Sequence, residues 1–77
     1  MKWEKFSKTI HENGDSTIVY RADGCAPIIE SRKRSIPHAN GVGFWRHTTY
    51  FVIFPNGTEK ACWKLEYAKE VAEKWQQ

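Results

Sequence analysis

The sequence predicts an α+β fold: an antiparallel meander of three to five strands with one C-terminal amphipathic helix packed across a face. Three observations carry that prediction. An Asn-Gly pair interrupts two runs of β-branched and aromatic residues in "YFVIFPNGTEKACW". After Trp63 the spacing of apolar residues lengthens to that of a helix. Upstream, short β-rich segments are punctuated by Gly, Asn, Asp and Pro.

Taken in order, the first element is the most ambiguous. Trp3, Phe6 and Ile10 have helical spacing, yet "HENGDS" reads as a hairpin turn that would join a strand here to "STIVYRA", Ser16 to Ala22. The turn chemistry favours the strand. "STIVYRA" is a strand by its content, and "ADGCAP" is the turn that ends it. "PIIESRKRSI" has β-branched ends and alternating charge, as a further strand would, and "PHANGVG" follows as a loop. Asn56 and Gly57, taken as a two-residue type I′ loop, set Tyr50 opposite Trp63, Phe51 opposite Cys62 and Val52 opposite Ala61. Those pairs are apolar on both faces, which predicts a hairpin central in the sheet. Pro55 then sits at a strand end, where its missing N–H is tolerable. In "KLEYAKEVAEKWQQ", Leu65, Ala68, Val71, Ala72 and Trp75 share one helical face, and Glu66, Lys69, Glu70, Glu73 and Lys74 take the other.

At 77 residues the chain is expected to form one small domain spanning residues 1–77. A domain of this size buries only roughly 60% of the surface of its unfolded chain, so large apolar side chains matter. Four Trp, four Phe and three Tyr supply them. The start, "MKWEKFSKTI", is cationic but is not followed by the apolar core of a signal peptide. "YFVIF" is the longest fully apolar run and is too short to span a bilayer. A cytoplasmic protein without a membrane partner is expected, with Cys25 and Cys62 as reduced thiols. "NGT" at Asn56 to Thr58 then reads as a turn rather than a glycosylation acceptor.

The net charge is +3, and its distribution is more informative than its size. Lysines, arginines and carboxylates balance in residues 1–24 and again in residues 48–77. Residues 25–47 hold Arg32, Lys33, Arg34 and Arg46 against Glu30 alone, so the whole excess lies there. The helix is charge-balanced and lacks the cationic face of a groove-reading helix. An anionic partner should therefore meet the strand and loop around residues 32–47. Strand alternation points Arg32 and Arg34 to one face and Lys33 to the other, and Arg46 would close the patch once the flanking strands pair. Arg suits phosphate and guanine edges. Trp45, His38, Asn40 and His47 interleave as stacking or hydrogen-bonding groups. The expected nucleic-acid-binding set is Arg32, Lys33, Arg34, Asn40, Trp45, Arg46 and His47. The plain alternative is a solvated strand whose charge protects an edge from aggregation.

The segments "SRKR", "FWRHTTYFVIFPNGTEKACW" and "YAKEVAEKW", spanning residues 31–75, together resemble the AP2-like, arm-type DNA-binding domains of phage and transposon integrases. The resemblance implies a three-stranded sheet backed by a C-terminal helix, with the sheet entering the DNA major groove. It also implies a phage or mobile-element setting. The chain departs from that pattern in its long "SIPHANGVG" loop and in having only Lys60 and Lys64 on the third strand. The element order also fits a double-stranded-RNA domain, although the Lys-rich start of that family's last helix is missing.

Other chemistry is poorly supported by the sequence. Cys25, His38, His47 and Cys62 form a possible metal-ligand set, but no two of them have the close spacing of a zinc knuckle. No metal or cofactor is expected. A Cys25–His pair oriented by Asp23 has no family-type context, and "GVG" lacks the lysine and helix start of a phosphate loop. A non-enzymatic module that binds nucleic acid, DNA first, through its basic strand and loop is expected. Its rival is a protein-interaction module, or a small inhibitor of phage or mobile-element type, whose basic strand faces an acidic protein or solvent. Either module would be a monomer or a strand-paired homodimer.

Overall fold

The computed structural model describes residues 2–12, 14–39 and 41–75. Strands β1 (Trp3–Ile10), β2 (Ser16–Ala22), β3 (Ile28–Pro37), β4 (Phe44–Ile53) and β5 (Glu59–Cys62) precede helix α1 (Leu65–Lys74). The strands form one sheet in the order β1-β2-β3-β4-β5, every neighbour antiparallel. This is the α+β meander, with the N-terminal segment a strand.

The helix covers one face of the sheet at one end. Ile29 pairs with Val52, and both are fully buried beneath the small side chains Ala68 and Ala72 of α1. Buried Cys62 and half-buried Trp3, Tyr20, Tyr50, Phe54, Leu65, Tyr67 and Val71 pack around them. The two alanines fall four residues apart on one helical face, which lets the helix backbone approach the sheet. Few large side chains are fully buried, as expected of a chain this short.

The β4–β5 hairpin departs from the expected register by one residue. Tyr50 faces Cys62, Phe51 faces Ala61, Val52 faces Lys60 and Ile53 faces Glu59. The loop holds three residues rather than two. Gly57 N–H donates to Phe54 O, and Phe54 N–H to Thr58 O, each at 2.9 Å. Gly57 has φ +92°, and among the described residues no non-glycine takes positive φ, as Asn56 would in a type I′ turn. Pro55 therefore occupies the first corner of a type I turn and Gly57 closes it as a bulge. Asn56 Oδ1 accepts from Thr58 N–H and the Thr58 hydroxyl, which holds the corner. The hairpin is not central either, because β5 forms an edge of the sheet. Trp63, expected opposite Tyr50, lies past the strand end, 73% exposed, with its ring edge-on to Tyr67.

The two edges are defended differently. β5 is four residues long and charged at its start, whereas β1 carries Glu4, Lys5 and Lys8 and bulges at Phe6. The bulge turns Phe6 outward beneath the Arg21 guanidinium, 4.8 Å from the ring centroid.

β3 and β4 outrun their neighbours. β2 accompanies β3 only as far as Lys33, and β5 accompanies β4 only between Tyr50 and Ile53. Residues 34–37 and 44–47 continue together as a two-stranded ribbon, through the pairs Arg34–His47, Ser35–Arg46, Ile36–Trp45 and Pro37–Phe44. With about 3.3 Å of rise per residue, this arm projects on the order of 13 Å before its loop, and the molecule measures 46 × 21 × 20 Å.

A pair of truncations tests the division into core and arm. Ile29→Ala should cost about 2–5 kcal/mol and lower Tm by at least about 10 °C. Ile36→Ala, in the half-exposed arm, should stay within roughly 1 kcal/mol of the parent. Thermal unfolding followed by circular dichroism separates the two; equal losses would place the arm inside the cooperative core.

Candidate nucleic-acid interface

Because strand side chains alternate, the burial of Ile29 and Val52 under α1 fixes the face of every other residue on β3 and β4. Glu30, Arg32, Arg34 and Ile36 take the open face together with Trp45, His47, Thr49 and Phe51 of β4. Lys33, Ser35 and Pro37 take the helix-side face with Phe44, Arg46 and Thr48. Arg46 therefore does not close a patch with Arg32 and Arg34, as its position after the loop suggested. It lies opposite Ser35 on the same face as Lys33. The cations are distributed over both faces of the arm.

Arg32 differs from the others. Its guanidinium bonds the carboxylate of Glu30, reaches Glu59 Oε1 at 3.1 Å and lies over the Phe51 ring, 4.2 Å from the centroid. The hydrogen bond to Glu30, with the fields of both carboxylates, raises its pKa further above an already high value. Two carboxylates around one guanidinium leave this part of the open face slightly negative. Arg32 is thus tied into its own sheet, although the sequence grouped it with the free cations.

Lys33, Arg34 and Arg46 form no ion pair among the described residues, and all three are exposed. No carboxylate occurs anywhere from residue 31 to residue 58. At the root of the arm, beyond the end of β2, Asp15 Oδ1 accepts the Ser35 N–H at 3.0 Å, extending the ladder by one bond. That bond anchors the ribbon where it leaves the sheet.

The far end of the arm is aromatic and apolar. Val42, Phe44, Trp45 and Ile36 are 74%, 69%, 62% and 46% exposed. The His38 ring lies 5.1 Å from that of Trp45, tilted by 37°, and an added Cβ at Gly43 would meet the His38 ring at 3.4 Å. Gly43 itself has φ +79°, a backbone conformation that L side chains rarely adopt. His47 stands on the open face opposite Arg34. Asn40, expected to contribute a polar contact, lies outside the described residues.

The sequence reading missed two features. One is the Glu30–Arg32–Glu59 cluster: Glu30 and Arg32 were visible as same-face neighbours, but the expected hairpin register put Glu59 on the opposite face. The other is the exposure of Val42, Phe44 and Ile36. Its signal was an apolar run, "GVGFW", inside a segment otherwise rich in turn residues.

The cysteines lie away from the arm's aromatic end. Cys25 Sγ donates to Ala72 O at 3.6 Å, and Cys62 is buried under α1. Burial pushes both thiols up, helped at Cys25 by Glu73 and opposed at Cys62 by Lys60. Among the described residues no three His, Cys, Asp or Glu side chains gather as metal ligands, and no helix is long and apolar enough to cross a membrane. Comparison of the chain with models of known protein families, with curated proteins and with solved structures gave no match.

Two measurements follow from this geometry. Arg32→Ala should lower stability by about 1 kcal/mol, through loss of the Phe51 stack and the partly screened ion pairs. Arg34→Ala should change it by less than about 0.5 kcal/mol. For the thiols, alkylation of the folded chain should reach its half-maximal rate at a higher pH than alkylation of the chain unfolded in guanidinium, because a raised pKa delays thiolate formation. Coinciding midpoints would contradict the burial assigned to Cys25 and Cys62.

Proposed function

We propose that this chain is a non-enzymatic nucleic-acid-binding module that engages DNA through the β3–β4 arm, with Lys33, Arg34 and Arg46 as its phosphate contacts. The observation that carries the reading is the arm itself: a two-stranded ribbon standing clear of the sheet, with exposed cations on both faces and no carboxylate. A two-stranded ribbon is among the few elements that fit the DNA major groove. Cations on both faces suit a partner that flanks the arm on two sides, as the phosphate walls of a groove do. A flat acidic protein surface would be met by one face only, leaving the other face's cations unmatched.

The resemblance of residues 31–75 to arm-type integrase domains supports the same class of partner by a different mode of contact. Those domains present a sheet face, whereas the open face here is occupied near its middle by Arg32 and its two carboxylates. The cationic elements available are the arm and its root. Trp45 and His47 would add contacts to sugar or base edges, and a phage or mobile-element setting is part of this proposal.

Fluorescence anisotropy with labelled duplex DNA across a salt series tests it. Three phosphate contacts give a log–log slope of about −2.7. The variant Lys33→Ala/Arg34→Ala/Arg46→Ala should lose the binding and its salt dependence while keeping the parent Tm, and Arg32→Ala should keep the parent slope. Absence of binding at low salt would sink the reading and turn attention to an acidic protein partner.

A further inference from the structure

We infer that the end of the arm selects nucleic acid with unpaired bases, in single strands or in duplexes interrupted by a bubble, and stacks those bases on Phe44 and Trp45. This rests on the proposed nucleic-acid reading for its phosphate contacts, Lys33, Arg34 and Arg46, and replaces the intact duplex groove with open bases as the preferred target.

The free protein bears a cost at the end of its arm. Val42, Phe44, Trp45 and Ile36 are large apolar side chains that the arm exposes, and none of them belongs to the core or packs against it. The arm gains little by displaying them to water. The two large rings lie on opposite faces, Phe44 with Arg46 and Lys33, Trp45 with His47 and Arg34. On each face the ring stands at the far end, with a cation or a histidine two residues or one cross-strand step behind it. A splayed nucleotide offers the complementary arrangement, an apolar π face joined to an anionic phosphate. Bases within an intact duplex hide their faces in the stack, so exposed rings on a projecting arm gain contact only where the stack is open.

The arrangement also separates two contributions to binding. Lys33, Arg34 and Arg46 set the salt dependence, which follows the number of phosphates neutralised. The rings contribute stacking that does not depend on salt and tolerates any base. The preference therefore concerns the state of the bases and carries no sequence specificity. His38 packs beside Trp45, and the Trp45 side chain remains 62% exposed.

The experiment uses three labelled DNAs of equal length: a single strand, a perfect duplex and a duplex with a central bubble. 2-Aminopurine placed in the bubble reports stacking. The single strand and the bubble should bind roughly ten-fold or more tightly than the perfect duplex at one salt concentration, and 2-aminopurine fluorescence should be quenched on binding. Phe44→Ala and Trp45→Ala should each weaken bubble binding by about ten-fold and leave its salt slope unchanged. Trp45→Phe should restore most of the loss, which separates ring stacking from a folding defect. Equal affinity for bubble and duplex, with neutral ring variants, would overturn the inference while leaving the arm's groove reading intact. No binding to any of the three would overturn both. Co-sedimentation with anionic phospholipid vesicles in that case would assign the arm's apolar end to a lipid surface instead.

Discussion

The pairing of Ile29 with Val52 beneath Ala68 and Ala72 is the constraint from which the rest of the molecule follows. Strand side chains have a period of two, so burying this pair decides the face of every residue along the ten-residue ladder of β3 and β4. Arg32 is then forced to the open face, where Glu30 waits two residues away and Glu59 arrives from β5. Lys33 and Arg46 are forced to the other face. A slip of one residue in this ladder would bury Arg32 against the helix and expose the core. The hydrophobic effect at one end of the hairpin thereby sets the charge pattern at the other end.

One strand pair serves two physical regimes. At its base it is an internal part of a sheet, hydrogen-bonded on both sides and covered by a helix. Beyond Lys33 and Thr48 it is a ribbon whose outer edges have no partner strand, held by its own ladder, by cross-strand pairs such as Ile36 with Trp45, and by the bond from Ser35 to Asp15. Isolated two-stranded ribbons are marginal in water. This one is stabilised because its root is continuous with the core. It also makes the ribbon tolerant of substitution, since little packing depends on its side chains.

Much of this was legible in the sequence. The helix was announced by Leu65, Ala68, Val71 and Ala72, and the strands by their β-branched residues and the turns between them. The loop at Asn56-Gly57 was recognisable as a turn, but its length was misread because Asn-Gly favours a two-residue loop. Pro55 fixes the backbone of the first corner, and within the loop Gly57 alone takes positive φ. That single residue of loop length moved Glu59 to the open face, so the neutralisation of Arg32 could not be foreseen. The arm was hidden for a related reason: strand composition marks where a strand exists, not where its neighbours stop. Nothing in "STIVYRA" or "EKAC" states that β2 and β5 leave β3 and β4 uncovered.

Charge has a different consequence in the two regimes. Arg32 has its counterions built in, and their balance is part of the fold. Lys33, Arg34 and Arg46 have none among the described residues and stand within a few residues of one another across the ribbon. Alternation puts Arg34 on the face opposite the other two, which lessens their repulsion without removing it. The residual field is screened by salt and is relieved by any partner that brings negative charge to both faces. In the proposed function, folding and partner attraction draw on separate residues: Ile29, Val52 and the two helical alanines for the first, and for the second three cations that form no ion pair among the described residues. That separation is what makes the proposed interface open to mutation without loss of the structure that presents it.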